Sequence, residues 1–264
     1  MLFRSHEVEA VGLGAAGFVS ADRATVLFAA NMSWRNEPLR ERIEGLVELP
    51  VVVENDANVA AWGEARFGAG NGQDNVVLLT IGTGVGGGVI IEGRLLRGHF
   101  GIGAELGHYR VVPDGHPCGC GQHGCLEQYA SGSALTRIVK AGAAREPERA
   151  KALLSLGDGT PEGIVGSHIS AAAREGDPIA LEGFTEVGTW IGQAMADMTA
   201  ILDPGVFILG GGVSEAGEIL AAPARKRYAE QAPAAGQRPL AEVVIATLGP
   251  DAGIIGAADL ARDR

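Results

Sequence analysis

The chain has 264 residues, 46% of them hydrophobic, with 21 basic against 32 acidic side chains and a formal net charge of −11. That length suffices for one large domain or two lobes around a substantial core, and the acidic balance argues against nucleic-acid binding while leaving small anions open wherever amides or a metal supply local positive potential. No uninterrupted apolar run reaches the roughly 20 residues that span a bilayer, and no apolar signal stretch opens the chain, so a cytoplasmic protein without a membrane partner is expected.

Strands alternate with helices in the pattern of an α/β protein. Val8 to Gly14 reads as a buried strand and Thr25 to Ala30 as a second, and Pro38 suits the first turn of a helix running to about Glu48. Val51 to Val53 is a short apolar strand ending in Glu54-Asn55-Asp56, followed by a helix from Ala57 to Phe67. Asn75 to Ile81 is a strand, Gly82 to Gly88 a turn, and Val89 to Ile91 its hairpin partner. Residues 97–125 form a long loop rich in Gly, Pro, Cys and His. Glu127 to Arg174 is mostly helical, broken near Gly157 to Pro161, with an inserted helical subdomain at about 134–175. Pro178 to Leu202 is one long helix. Val206 to Leu209 is a strand feeding Gly210 to Gly212, and a helix, the strand Val243 to Leu248 and a last helix from Asp251 complete the chain.

The three cysteines, Cys118, Cys120 and Cys125, lie within Cys-Gly-Cys-Gly-Gln-His-Gly-Cys, too crowded for a disulfide framework. Three thiolates and one imidazole satisfy tetrahedral zinc, and four protein ligands leave no open position for water, which makes such a site structural. Two histidines compete for the fourth place: His123 inside the loop and His108 before it. The alternative is three reduced thiols in a surface loop.

Asp56 follows a strand, at the end where α/β sheets bind ligands, and a carboxylate there can accept a proton during phosphoryl transfer. The competing reading is a helix N-cap, for which Asn55 and Asp56 are both suited. Glu105 lies three residues before His108, sharing its face on a helical turn, and Glu127 lies two after Cys125. A metal site would draw these carboxylates toward one place, where they would accept hydrogen bonds from sugar hydroxyls; solvated surface charge is the alternative. The 41 glycines are about twice the usual share. The run from Gly82 to Gly88 can present amides and the Thr83 hydroxyl to phosphate, although it is not a P-loop and a plain hairpin explains it as well. Gly210-Gly211-Gly212 stands between strand and helix, the usual position for nucleotide contacts.

With these residues assembled, the chain resembles the ROK family (repressors, open reading frames and sugar kinases), most of all its bacterial glucokinases. The likeness covers nearly the whole chain and is most specific at Glu105-Leu106-Gly107-His108, Cys118, Cys120, Cys125 and Glu127. It implies two α/β lobes of the actin and hexokinase (ribonuclease H-like) type with a structural zinc loop, closing over a sugar. It implies His108, Cys118, Cys120 and Cys125 as zinc ligands and Asp56 as the base that takes the proton of the sugar 6-hydroxyl. Gly17, Asn55, Asp56, Glu105, His108 and Glu127 would contact glucose. Gly82, Thr83 and Gly84 would form a phosphate loop, with Gly211 and Gly212 at the adenosine of Mg-ATP. The implied assembly is a homodimer or homotetramer.

The same resemblance divides the chain into residues 1–55 of an N-terminal lobe, residues 56–250 of a C-terminal lobe with the zinc loop at 105–127, and a helix at 251–264 returning to the first lobe. Two departures stand out. Ala16-Gly17 replaces a common Pro-Gly, and the family's opening Asp-x-Gly-Gly-Thr phosphate loop has no counterpart before Val8. An N-terminal lobe incomplete by roughly sixty residues, with unpaired strand edges and impaired ATP binding, is therefore expected. The alternatives are a sugar-binding regulator without activity, a kinase for mannose or N-acetylmannosamine, polyphosphate as donor, and an inactive fragment.

Overall fold

The computed structural model describes residues 8–29 and 32–262. In chain order its elements are β1 (Val11–Ala15), β2 (Phe18–Val19), β3 (Val26–Phe28), β4 (Arg35–Glu37), α1 (Leu39–Val47), β5 (Val51–Asn55) and α2 (Asp56–Phe67). Then come β6 (Val76–Ile81), β7 (Val85–Ile91), β8 (Arg94–Leu95), α3 (Glu127–Ala130), α4 (Gly132–Arg145), α5 (Lys151–Leu154) and α6 (Gly166–Arg174). The series ends with α7 (Pro178–Leu202), β9 (Val206–Gly210), α8 (Glu218–Gln231), β10 (Glu242–Ile245) and α9 (Ala252–Leu260). Ala30, the expected end of the second strand, lies outside the described residues. Two compact units result: Met1–Leu78 with Gly87–Glu105 and Ala246–Arg264, and Leu79–Gly86 with Leu106–Ile245.

In the first unit β1 and β5 pair in parallel, with Ala15 opposite Asn55 at their C-terminal ends. Strand β1 is only half-buried, against the expectation of a buried strand. Strands β2, β3 and β4 form an antiparallel meander; β3 falls within the expected Thr25–Ala30 strand, while β2 and β4 are too short to show in the sequence pattern. The β-branched run of β5 suits a pleated surface, and Val51 and Val53 join Ala15, Val19, Val26 and Ala29 in a small core. Helix α2 carries the fully buried Glu64, whose carboxylate accepts hydrogen bonds from the backbone N–H groups of Ala69 (2.8 Å), Thr247 (3.2 Å) and Leu248 (2.7 Å). This is why β10 stops at Ile245 and not at Leu248: those two N–H groups turn to a carboxylate in place of a strand. Trp62 Nε1 donates to Asp259 on α9 at 2.9 Å, tying α2 to that helix.

The glycine run divides differently from the expected turn. Only Gly82 to Gly84 form the turn, closed by Gly82 N–H donating to the Gly84 carbonyl at 3.0 Å, while the next three glycines belong to β7. Gly88 faces α2 so closely that a Cβ there would lie 2.4 Å from Ala61 Cβ. Glycine here lets a strand pass a helix, which a sequence pattern cannot separate from a turn.

In the second unit the fully buried β9 pairs in parallel with β10. Helix α7 is the expected 25-residue helix: Asp177 caps its first amides, Pro178 opens it, and Asp203 ends it in a left-handed conformation. It packs along α8 and α4. Among the described residues no helix is long and apolar enough to cross a membrane.

Candidate active site

His108 closes a 3-10 turn, Leu106–His108, and the chain after it doubles back on itself. Leu126 N–H donates to the Tyr109 carbonyl at 3.0 Å, and Cys118 N–H to that of Gln122 at 2.8 Å. The fold-back gathers one His108 nitrogen and the sulfurs of Cys118, Cys120 and Cys125 within 4.8 Å of one another. Cys118 Sγ stands 3.7 Å from His108 Nδ1, and Cys120 Sγ 3.6 Å from Cys125 Sγ. Zinc bonds of about 2.3 Å to sulfur and 2.0–2.1 Å to nitrogen put tetrahedral ligands about 3.6–3.8 Å apart, so this donor set fits zinc in kind and spacing. His123 is outside the group; its backbone bridges Pro117. Burial pushes the Cys125 thiol up to about 12, so a metal bound here displaces a proton.

Glu127 opens α3 beside this cluster. Its Oε1 lies 3.7 Å from Cys118 Sγ, and its Oε2 accepts from Val85 N–H at 3.2 Å. Gly84 makes room for it: a Cβ there would meet Glu127 Oε2 at 2.2 Å. Glu105 directly precedes the 3-10 turn and is the last residue of its segment of the first unit.

In the first unit the two candidate caps separate. Asn55 Oδ1 accepts from the N–H groups of Ala57 (2.9 Å) and Asn58 (3.0 Å), while its Nδ2 donates to the Gly17 carbonyl at 3.1 Å. Asn55 is thus the N-cap, and Asp56 is the first helical residue with an exposed side chain. Protein crowded around the Asp56 carboxyl raises its pKa above the usual 3.8, against hydrogen bonds from Ala57 and Asn55 that lower it.

The second unit also carries a cleft of about 830 Å³, lined among others by Gly82, Thr83, Ser133, Ser170, Arg174 and Gly212. Its walls include the N-terminal residues of two helices, Gly132 and Ser133 of α4 and Gly166 and Ser167 of α6. Gly132 N–H donates to the Gly82 carbonyl at 2.7 Å and Ser133 Oγ to that of Thr83 at 2.7 Å, binding the turn to the start of α4. Amides at helix starts and glycine turns favour anionic ligands. Of the nucleotide residues expected from sequence, Gly82, Thr83 and Gly212 line this cleft. Gly211 packs against Ile81, and Gly84 faces Glu127. Ser133, Ser170 and Arg174 were missed because they sit in ordinary helical sequence; the one signal was Ser131, which caps α4 through Ala134 N–H.

An α/β fold with a glycine-lined cleft and a Cys₃His loop able to hold a metal fits the class of actin-like, nucleotide-binding proteins. The chain belongs to the ROK family, whose sequence profile matches residues 2–264. It is 56% identical over 258 residues to the glucokinase of Streptomyces coelicolor, across 98% of this chain and 81% of that relative. To the glucokinase of Thermotoga maritima it is 40% identical over 259 residues, 98% of this chain and 80% of the relative. The crystal structure of a ROK family glucokinase from Streptomyces griseus in complex with glucose and AMPPNP matches with a TM-score of 0.92 at 57% identity. That match covers 98% of this chain and 83% of the other.

Proposed function

We propose that this chain is an ATP-dependent glucokinase, transferring the terminal phosphoryl group of ATP to the 6-hydroxyl of glucose. The observation that carries the reading is the likeness, at 57% identity, to a glucokinase crystallised with glucose and an ATP analogue. The residues are in keeping with it. Asp56, the exposed first residue of α2, takes the proton of the attacking hydroxyl as its oxygen bonds to phosphorus and ADP leaves. The family resemblance assigns Gly17, Asn55, Glu105, His108 and Glu127 to the remaining sugar hydroxyls. With Nδ1 turned to the thiols, His108 keeps Nε2 for a hydroxyl.

Mg²⁺ enters as part of the substrate, chelated by ATP. The cleft at Gly82, Thr83 and Gly212 takes the nucleotide, its helix-start amides meeting phosphate oxygens. Zinc held by His108, Cys118, Cys120 and Cys125 supplies a fixed cross-link, not a step of the reaction. A cytoplasmic homodimer or homotetramer completes the proposal.

The test is a coupled assay of ADP release with glucose, ATP, Mg²⁺ and zinc retained. Glucose-dependent turnover is expected, falling about 10³-fold in Asp56→Asn, within the usual range for a general base. Glucose affinity by calorimetry should change little in that variant. No glucose-dependent ADP release from the wild-type chain overturns the reading.

A further inference from the structure

Behind the proposed base lies a buried charge that the reaction does not use. Glu54 is 1% exposed, next to Asn55 and two residues before Asp56, where the helix begins. Its Oε2 meets Arg23 Nε at 3.0 Å and Arg97 Nε at 2.6 Å. Its Oε1 accepts from Asn55 N–H at 2.9 Å and Asn58 Nδ2 at 3.1 Å. Both oxygens are thus fully engaged. The arginines reach onward. Arg97 donates to the carbonyls of Ser20 (2.9 Å) and Ala21 (2.7 Å), and the Arg23 carbonyl accepts from Val53 N–H at 3.1 Å.

Three segments meet at this carboxylate. One runs from Gly17 through β2 to Arg23, and its Gly17 carbonyl accepts from Asn55. Another is the end of β5 with Asn55 and Asp56. The last begins at Arg97 and runs to Glu105. Each contains a residue assigned above to the sugar, yet Glu54 itself is sealed from any ligand.

We infer that Glu54, held by Arg23 and Arg97, is the positioning residue that sets these three segments against one another and so fixes the geometry for glucose. The inference rests on the glucokinase reading. Two guanidinium groups share one buried carboxylate; neutralising it leaves them facing each other uncompensated, and the segments they hold separate. A sugar bound by groups on several loops loses affinity when those loops shift, whereas the nucleotide cleft in the other unit uses none of them.

Glu54→Gln keeps the shape and the acceptor for Asn55 N–H while removing the charge. Its glucose KM should rise about tenfold, with glucose Kd by calorimetry following and the ATP KM within about twofold. Arg97→Lys keeps a positive charge beside Glu54 but loses the fork that holds Ser20 and Ala21. It should raise glucose KM in the same direction, and it serves as the decisive variant should Glu54→Gln not fold. A merely structural role lowers the active fraction, hence kcat, and leaves both KM values alone; that pattern in either folded variant overturns the inference while the glucokinase reading stands. A wild-type chain without glucose-dependent turnover overturns both.

Discussion

Asp56 is the residue whose chemistry is most exposed to test. Crowding disfavours its charge, so its pKa lies above the carboxylate's usual 3.8, and a base must be deprotonated to act. The acid limb of a kcat/KM profile should therefore have its midpoint above 3.8 and disappear with the activity in Asp56→Asn. Stability follows the opposite sign. A carboxyl with a raised folded-state pKa stabilises fully below 3.8 and loses that contribution as pH climbs through the folded value. Asp56→Asn should then be at least as stable as the wild type at pH 7, measured by urea denaturation. Gly84 offers a second probe. In Gly84→Ala the new methyl must push the Glu127 carboxylate away from Val85 N–H. Glucose KM should rise severalfold while zinc, by elemental analysis, stays at one per chain. At this scale the sequence was most legible where chemistry restricts the residue type. Three crowded cysteines announce a metal, but whether His108 or His123 completes the set depends on how the chain doubles back. Glu54 went unnoticed because its partners lie 31 and 43 residues away.

Among the elements, α2 is the most heavily tied. Glu64 collects three backbone N–H groups from two loops, and Asp259 takes the Trp62 indole and stands 3.3 Å from Arg66. Glu64→Leu would fit the space but orphan those donors, and should cost about 3 kcal/mol in urea denaturation. Long amphipathic or capped helices were readable from sequence; α7 carries Asp and Pro at its start and keeps its apolar face for 25 residues. Short strands were not. Strands β2 and β4 have two and three residues, below the length at which alternation means anything. The glycines of β7 looked like a turn because the close approach of α2, which requires them, is a tertiary fact.

For the molecule as a whole, each unit draws on segments distant in sequence, so α9 completes packing begun by α2 nearly two hundred residues earlier. The alternation of strands and helices showed the α/β class; it did not show which segments associate. Removing metal tests the units separately. Chelation should lower the melting temperature and speed amide exchange at residues 106–130, around the proposed zinc ligands His108, Cys118, Cys120 and Cys125. Exchange in residues 8–29 and 51–67 should be unchanged. Protection lost equally in both would show that the metal loop supports more than its own unit.

The parallel pairing of β1 with β5 carries a consequence for how such a gene can vary. Ala15 stands opposite Asn55, so the chain leaves both strands at the same end, toward Gly17 on one side and Asp56 on the other. Substituting a valine within β5 alters packing by a methyl or two. Deleting one residue does something else, since alternate side chains point to opposite faces and every residue beyond the gap turns over. Glu54 would face outward, its two arginines would be left behind, and Asp56 would be drawn back about 3.3 Å, one strand step. Descendants of this sequence can rewrite the letters of β5 with some freedom, but they inherit its length unaltered.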